Sequence, residues 1–353
     1  MIGPAITPRY VLGIDQGSTK THAVVCTSTG EIVGIGHAGG GYAMHDMAAA
    51  LHEIARATDM ARTQAALGDA RIELLYGGIT SADWPDEYLT IQSRLADLEL
   101  AGTTEVTNDC LVALRGGTAA AAAAIISAGT GGNCAVRSPS GETWVYGYYH
   151  DDELQGGIAL GEQALWAVYR AHTGRAPATL LTDRILHHYA LTTVDALRRA
   201  HCERFDHHVI KQLAPLVFHA ARDGDTAATL IIQRLGTGLA ELVSAGLQRF
   251  AMLHHEVDVV LSGSIFKGPG DMLQRSIQDA LQDAAPRARL VEARYEPVVG
   301  AVLLGLERLG VPLTPDVEAA IERTSRHHGL LRHPTPSSLS PSILDHETPH
   351  GSN

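Results

Sequence analysis

Apolar and polar positions in the N-terminal part of the chain alternate in short runs that predict β-strands. Between residues 10 and 36, three such runs, YVLGID, THAVVCT and EIVGIG, are separated by the turn-forming stretches QGSTK and STG. Short alternating runs between turn formers are typical of a β-meander. A helical period follows over residues 48–67, then a strand at IELLYGG, a helix at residues 85–98 and a short strand at EVT. These residues therefore predict one α/β half that begins with a meander.

The same order of elements begins again near residue 122. The strand-like runs AAAAIIS, NCAVR and ETWVYGY are separated by the turns AGTGG and SPSG. Helical periodicity dominates after residue 157, and VDVVLSG, a helix after residue 271, ARLVEA and a helix at residues 298–309 complete the half. Two such halves predict a duplicated α/β fold, with strand-end loops converging on a cleft between two lobes.

The pattern also predicts where the lobes begin and end. We assign an N-terminal lobe to residues 1–118 and a C-terminal lobe to residues 119–323. Residues 324–353 are rich in Pro, Ser and His and lack sustained periodicity. Such composition argues against a packed core, so we predict a flexible tail there.

Composition narrows the class of partner. The chain has 353 residues, 39 acidic against 27 basic, and a formal charge of -12, which disfavours non-specific binding to nucleic acid or an anionic membrane. Its four cysteines form no CxxC pair, and the N-terminus has no signal-peptide pattern. We therefore expect a cytoplasmic protein with a small-molecule partner, no nucleic acid and no membrane.

The first candidate binding loop is GIDQGSTKT at residues 13–21. Glycine permits a close backbone approach, and backbone N–H groups, hydroxyls and lysine can donate to phosphate oxygens. Asp15, at the strand end, can hold Mg²⁺ through water. The loop opens a hairpin and lacks the P-loop spacing, so an ordinary polar turn is the competing interpretation. Its candidate phosphate-binding residues are Gly17, Ser18, Thr19, Lys20 and Thr21.

Two further glycine-rich segments follow a strand. SAGTGGN at residues 127–133 lies in the second meander at the place equivalent to the first loop, and LSGSIFKGPG at residues 261–270 joins a strand to a helix. The start of a helix is suited to binding an anion or a nucleoside. Most single strand-to-helix connections, however, bind no ligand. The candidate residues are Gly129, Thr130, Gly131, Gly132, Asn133, Gly263, Ser264 and Lys267.

The three loops, in this order, resemble the phosphate-1, phosphate-2 and adenosine segments of the actin-like ATPase superfamily. Within it, residues 11–310 look most like the N-acetylglucosamine kinase and BadF/BadG-type ATPase family. The resemblance implies the duplicated actin-like (ribonuclease H-like) fold, ATP and Mg²⁺ as cofactors, a small sugar or amino sugar as substrate, and a homodimer. It also implies a weaker nucleotide contact at Gly224, within ARDGD.

TNDCLVALRGGT at residues 107–118 resembles the family segment whose Asp acts as catalytic base. That Asp corresponds to Asp109, which would accept the proton of the sugar hydroxyl. Asn108 and Asp109 can instead cap the following helix, so both interpretations stand at this point.

Resemblance also implies residues at the sugar. YGYYHDDE resembles a family W-G-x-x-x-G-D-E segment whose acid binds sugar hydroxyls, with Tyr146 in place of Trp and Asp151 in place of Gly. AGGGYAMHD aligns with a loop whose sugar-binding Asn is here Met44. The acceptor is therefore left as glucosamine-like or N-acetylglucosamine-like. The candidate substrate-binding residues are Gly41, Tyr42, His45, Ser81, Asp83, Asn108, Asp152 and Glu153. Ser81 and Asp83 are chosen because they follow a predicted strand, and for Tyr42, His45, Ser81 and Asp83 an ordinary role as polar loop residues stays open.

Two other function classes stay open. The first loop also resembles activators of 2-hydroxyacyl-CoA dehydratases, ATPases that share an iron–sulfur cluster between subunits. Such a cluster requires cysteine thiolates as ligands, and Cys110 and Cys134 are the candidates. The departures at Met44 and Asp151 would also suit a sugar or nucleotide sensor that binds without turnover.

Overall fold

The N-terminal part of the chain forms a five-stranded mixed sheet. The computed structural model describes residues 9–149, 151–154 and 156–332. The strand order is β3-β2-β1-β4-β5, with β1, β2 and β3 antiparallel and β4 and β5 parallel to β1. The predicted meander is therefore confirmed. The strands are β1 (Tyr10–Gln16), β2 (Lys20–Thr27), β3 (Ile32–Gly39), β4 (Leu74–Ile79) and β5 (Thr103–Asn108).

A second five-stranded sheet repeats this arrangement. Its order is β10-β9-β6-β7-β8, with β6, β7 and β8 antiparallel and β9 and β10 parallel to β6. The strand that begins each meander thus pairs on its other side with a parallel strand, which confirms the predicted duplication. The strands are β6 (Ala123–Ala128), β7 (Gly132–Arg137), β8 (Thr143–Val145), β9 (Val257–Ser262) and β10 (Ala288–Glu292).

Helices cover both sheets. Apolar residues at helical spacing bury one face of each, as in α9, where Leu235, Leu239 and Val243 enter the core of the second sheet. By length and composition α9 resembles a membrane span, but half of its most apolar window is buried inside the protein. The α-helices are α1 (Met47–Gln64), α2 (Pro85–Ala96), α3 (Asp109–Gly117), α4 (Gly156–His172), α5 (Leu181–His188), α6 (Val194–Arg204), α7 (His207–Ile210), α8 (Ala214–Arg222), α9 (Thr226–Arg249), α10 (Met272–Ala284), α11 (Pro297–Arg308) and α12 (Pro315–His327).

The last two helices correct the predicted lobe boundary. Helix α11 packs on the first sheet, where Val302 and Leu306 share an apolar cluster with Val11 and Val24. A Cβ on Gly13 would lie 2.8 Å from Val302 Cγ2, so glycine permits this close approach. Residues 297–327 therefore return to the N-terminal sheet, because α11 is apolar enough to be buried between β1 and α3.

The predicted tail boundary at residue 324 is also wrong for the described residues. Helix α12 continues to His327, and Thr324 Oγ1 accepts a hydrogen bond from the Ile32 backbone N–H at 3.1 Å. Leu330 is buried, and Leu331 forms a β-bridge with Tyr295. The prediction rested on the overall composition of residues 324–353, which does not reveal a few apolar or hydrogen-bonding side chains that pack on the fold. The rest of the predicted tail, residues 333–353, lies outside the described residues.

Candidate active site

A cavity of about 550 Å³ lies between the two sheets and is lined by both halves. The carboxyl ends of β1 and β5 supply Asp15 and Asn108, and those of β6 and β9 supply Ser127 and Ser262. Parallel strands end at the same edge of a sheet, so this fold gathers polar strand-end residues from two sheets around one space. The duplication thus creates the cleft predicted from the sequence.

The turn between β1 and β2 forms one wall. Gly17 N–H donates to the Lys20 carbonyl at 2.9 Å. Thr21 does not reach the cavity: successive residues of β2 point to opposite faces of the sheet, and the Thr21 hydroxyl donates to the Gly39 carbonyl at 2.6 Å. Of the predicted residues, Asp15, Gly17, Ser18, Thr19 and Lys20 line the cavity.

Gly41 supports this turn without lining the cavity. Its N–H donates to the Gly17 carbonyl at 3.2 Å, and a Cβ at this position would lie 2.8 Å from the Cα of Ala50. The segment before α1 is thereby held against the turn between β1 and β2. The same segment brings Tyr42 and His45 to the cavity, whereas Met44 is not among its lining residues.

The turn between β6 and β7 faces the first one. Residues 129–133 all line the cavity, as predicted. Lys211 Nζ donates to Thr130 Oγ1 at 3.2 Å, and the Gly157 N–H at the start of α4 donates to the Gly129 carbonyl at 2.8 Å. These contacts hold the turn with its backbone close to the cleft.

A third wall follows β9. Gly263 has φ +110°, and a Cβ there would lie 2.0 Å from the Ala128 carbonyl oxygen, so only glycine fits. Ser264 and Lys267 extend from this turn into the cavity lining. Gly224 does not: it lies in the turn between α8 and α9 with φ +89°, where the backbone conformation itself favours glycine.

Asp109 begins α3 and lines the cavity. The cap of this helix is Asn108, whose side chain accepts from the Cys110 N–H at 2.9 Å. Burial, together with the charges of Asp15 and Asp83, raises the pKa of Asp109 to about 7, and hydrogen bonds from Thr80 and Cys110 only partly oppose this. Capping of α3 is therefore assigned to Asn108, and Asp109 lines the cavity.

Asp15 is buried beside it. Burial raises the pKa of Asp15 to about 6, Glu296 adds to the rise, and Lys20 and Arg332 oppose it. A buried carboxylate with a raised pKa faces a cost of ionisation that a nearby cation relieves. The position thus suits a residue that helps to hold a divalent cation.

Carboxylate and amide groups gather around Asp83 and form a polar end of the cavity. Asp83 Oδ1 accepts from Asn108 Nδ2 at 2.7 Å and from Asn133 Nδ2, in the second half, at 3.5 Å. Tyr148 OH donates to Glu87 Oε1 at 3.2 Å, also between the halves. Ser81 and Asp152 also line the cavity.

Two residues of the segment predicted to bind the substrate do not line this cavity. Glu153 lines a separate cavity of about 370 Å³ between α4 and α9, because the 3-10 helix Asp152–Leu154 turns successive side chains to different sides. Tyr146 belongs to the core and donates to the Leu242 carbonyl at 2.5 Å. Asp152, rather than its neighbour, is thus the acidic residue at the cleft.

Sequence reasoning missed part of the lining. Thr80 and Ser262 stand at the ends of β4 and β9, so the rule that sites gather at strand ends was a usable signal. Glu296 and Arg332 carried no local motif. The missed residues are Thr80, Cys110, Ser127, Gly147, Tyr148, Ser262, Glu296, Pro297 and Arg332.

Comparison with known proteins agrees with this architecture. The chain is 22% identical over 302 residues to an N-acetylmuramic acid/N-acetylglucosamine kinase of Clostridium acetobutylicum, covering 84% of this chain and 98% of the relative. It is 24% identical over 278 residues to the glucosamine kinase GspK of Vibrio cholerae, covering 76% and 89%.

A solved structure shares the fold. A protein of Chromobacterium violaceum, described only provisionally as an N-acetylglucosamine kinase, superposes with a TM-score of 0.65 at 21% identity, covering 84% of this chain and 98% of that one. The model of the BadF/BadG/BcrA/BcrD ATPase family matches residues 12–305, which include both hairpin turns, Asp109 and the turn after β9. The chain belongs to the BadF/BadG/BcrA/BcrD ATPase family.

Proposed function

We propose that this protein transfers the γ-phosphoryl group of ATP to a hydroxyl of a small amino sugar. The observation that carries the proposal is the place of Asp109, a carboxylate of pKa about 7 in a cavity that three glycine-rich turns and residues of both halves also line. Two relatives that cover most of the chain are named as amino-sugar kinases, which supports this acceptor class.

The turns are suited to the nucleotide phosphates. Backbone N–H groups of the glycine-rich turns and the hydroxyls of Thr19 and Thr130 can donate hydrogen bonds to phosphate oxygens. Lys20 and Lys267 add positive charge from the two halves. Phosphoryl transfer depends mainly on positioning and on neutralising charge, and these groups supply both.

Asp15 would hold Mg²⁺ through water, in keeping with its buried carboxylate at the cavity wall. When bound, this cation supplies positive charge to the phosphate oxygens. The protein's own part is to place Asp15 on β1, where the charges of Lys20 and Arg332 partly offset the effect of burial on its pKa.

In the transfer step, the acceptor oxygen attacks the γ-phosphorus in line with the oxygen that bridges the β- and γ-phosphates. The new oxygen–phosphorus bond forms as the bond to the bridging oxygen breaks, and ADP leaves. The hydroxyl proton passes to the Asp109 carboxylate. A base with a pKa near 7 combines a large ionised fraction at neutral pH with useful basicity.

The polar end of the cavity is suited to an amino sugar. Asp83 and Asp152 offer carboxylates and Asn133 an amide, whereas the predicted substrate contact Asn108 donates to Ala82 and Asp83 and orients the Asp83 carboxylate. Such groups bind hydroxyls, and the carboxylates also attract an ammonium group. Tyr42, His45 and Ser81 complete this proposed acceptor site. Comparison of glucosamine with N-acetylglucosamine as acceptors tests whether the site prefers a free or an acetylated amine.

The competing proposal, an activator with a shared iron–sulfur cluster, is disfavoured by burial of the candidate thiols. Cys110 is 1% exposed and Cys134 0% exposed. Burial raises the pKa of both thiols, which opposes the thiolate form that cluster ligation requires. Neither side chain lies at a surface where a second subunit could reach it.

The test is an acceptor panel with the purified full-length chain and Mg-ATP. ADP release and the masses of the products are followed with glucosamine, N-acetylglucosamine, N-acetylmuramic acid and glucose. We expect ADP together with one sugar heavier by a phosphoryl group. ADP without a phosphorylated sugar would favour the energy-coupling ATPase, and nucleotide binding without ADP would favour a sensor. The homodimer stays a prediction, which light scattering of the same sample tests.

A further inference from the structure

Arg332 reaches the catalytic cavity from a part of the chain outside the matched family region. The family model ends at residue 305, whereas Arg332 follows α12 and lines the cavity with Asp15, Lys20 and Ser262. Its side chain is 19% exposed. The C-terminal segment therefore adds a guanidinium group to the proposed nucleotide end of the cleft.

The backbone of this segment is fixed where Arg332 enters. Leu331 forms a β-bridge with Tyr295, and the Arg332 N–H donates to the Arg294 carbonyl at 3.1 Å. The Glu296 N–H donates to the carbonyl of Leu330, a buried residue, at 2.8 Å. The segment is thus tied to the chain that leads into α11.

The guanidinium group is held from two sides. Arg332 Nε donates to Glu296 Oε1 at 3.0 Å and Nη2 to Glu296 Oε2 at 3.4 Å, while Nη1 donates to Ser262 Oγ at 3.2 Å. Three of its five N–H donors are used within the described residues, so two stay available to a ligand. Because Ser262 ends β9 and Glu296 precedes α11, the group is oriented by both parts of the cleft.

Charge around Glu296 suits a polyanion. Lys20 Nζ lies 3.8 Å from Glu296 Oε2, so one carboxylate faces both Lys20 and Arg332. Burial alone raises the pKa of Glu296, but Arg332, Lys20 and Lys267 outweigh it, and the net pKa lies below the ordinary value. With Asp15 included, three cations lie near two carboxylates, which leaves net positive charge at this wall.

Arg332 is also close to the reaction centre. Its charge lowers the pKa of Asp15, and the charge of Asp15 in turn raises the pKa of Asp109. Arg332 and both carboxylates line the same cavity.

We propose that Arg332 binds the β- or γ-phosphate of ATP, with Glu296 as the residue that positions its guanidinium group. The inference rests on the proposed function only in taking ATP as the ligand. A planar guanidinium group held by a carboxylate on one edge presents its remaining donors in a fixed direction, as phosphate oxygens require. In the structural alternative, Arg332 only fastens the C-terminal segment.

Binding of ATP, ADP and adenosine to Arg332→Met separates these roles. We expect the Kd for ATP to rise about 10- to 100-fold, the range for loss of a charged hydrogen-bonding group, and the Kd for adenosine to stay within about twofold. Arg326→Met is the matched control, because Arg326 belongs to α12, pairs with Glu322 and does not line the cavity. It should bind all three ligands like the wild type.

Arg332→Lys keeps the charge and decides the question if Arg332→Met does not fold. Lysine cannot reproduce the two-pronged contact with Glu296, so ATP affinity should still fall, by about 3- to 10-fold, with adenosine unaffected. An unchanged Kd for ATP in a folded Arg332 variant, or an equal loss for ATP and adenosine, would overturn the assignment. Binding needs no acceptor, so failure here is separate from failure to form a phosphorylated sugar.

Discussion

The negative charge of Asp15, at the end of β1, raises the pKa of Asp109, which follows β5 of the same sheet. Both carboxylates line the same cavity, and burial raises the pKa of Asp15 to about 6 and that of Asp109 to about 7. The nucleotide-free protein therefore carries two carboxyl groups whose ionisation opposes folding. We expect a cation near Asp15 or a proton on Asp109 to remove this cost.

Asp109→Asn should stabilise the nucleotide-free protein at pH 8. Below pH 4 the carboxyl is protonated in both the folded and the unfolded chain, so its charge has no effect on the free energy of unfolding. Above pH 7 it is ionised in both, and the folded chain bears the cost of the buried charge. Stability is thus lost as pH rises from about 4 to 7.

Thermal unfolding at several pH values measures this effect. Allowing for solvent in the cavity, we expect a gain of about 1–2 kcal/mol at pH 8 that disappears near pH 4. Asp279→Asn, in α10 and away from the cavity lining, is the control. A destabilised Asp109→Asn protein at pH 8 would mean that the carboxylate is stabilising, contrary to the account.

The rate of turnover should rise with pH through the pKa of Asp109. Only the ionised carboxylate accepts the proton, so kcat/KM for the acceptor should increase as pH passes about 7 and level off above it. ATP affinity over the same pH range is the control for ionisation of the nucleotide. A flat profile from pH 5.5 to 8.5 would argue against a base with this pKa.

Gly263→Ala should disrupt the turn after β9. A Cβ there would lie 2.0 Å from the Ala128 carbonyl oxygen, in a backbone conformation with φ +110°. We expect a loss of roughly 2–4 kcal/mol in the free energy of unfolding and weaker ATP binding.

Gly224→Ala is the matched control for this change. Its φ is +89°, but a Cβ would have no neighbour within 4 Å, so only the backbone strain of about 1 kcal/mol should appear. ATP affinity should not change. Equal effects of the two substitutions on ATP binding would show that the close approach to Ala128 is unimportant.

Tyr148→Phe should weaken acceptor binding more than ATP binding. The Tyr148 hydroxyl donates to Glu87 at 3.2 Å across the two halves, beside the proposed acceptor end. Loss of this contact should raise the KM for the acceptor by about 3- to 10-fold, with the KM for ATP unchanged. Tyr149→Phe is the control, because Tyr149 is exposed and stacks on Trp144. Similar KM values for Tyr148→Phe and the wild type would place Tyr148 outside acceptor recognition.

Local patterns were sufficient for the fold and for much of the cleft. Period-two runs predicted both meanders, and turns such as residues 129–133 could be assigned because glycine and small hydroxyl residues have local conformational and hydrogen-bonding signatures. Asp109 was found through a family segment. That resemblance did not settle whether Asp109 or Asn108 caps α3, which depends on side-chain direction.

Long-range contacts could not be predicted in this way. Glu296 and Arg332 meet because Leu330 and Leu331 dock beside Tyr295, and no local pattern encodes that docking. Thr21 and Glu153 show the opposite error: each is adjacent in sequence to a lining residue, but the alternation of a strand or the turn of a 3-10 helix directs its side chain elsewhere.

Product analysis of the wild type and Asp109→Asn side by side tests the central claim most directly. Both proteins are supplied with Mg-ATP and the best acceptor, phosphorylated sugar is quantified by mass spectrometry, and ATP affinity is measured by calorimetry. We predict phosphorylated sugar from the wild type and a rate at least about 100-fold lower from Asp109→Asn, with ATP affinity retained. Phosphorylation by Asp109→Asn at a near-normal rate, or ADP without phosphorylated sugar from the wild type, would contradict the account.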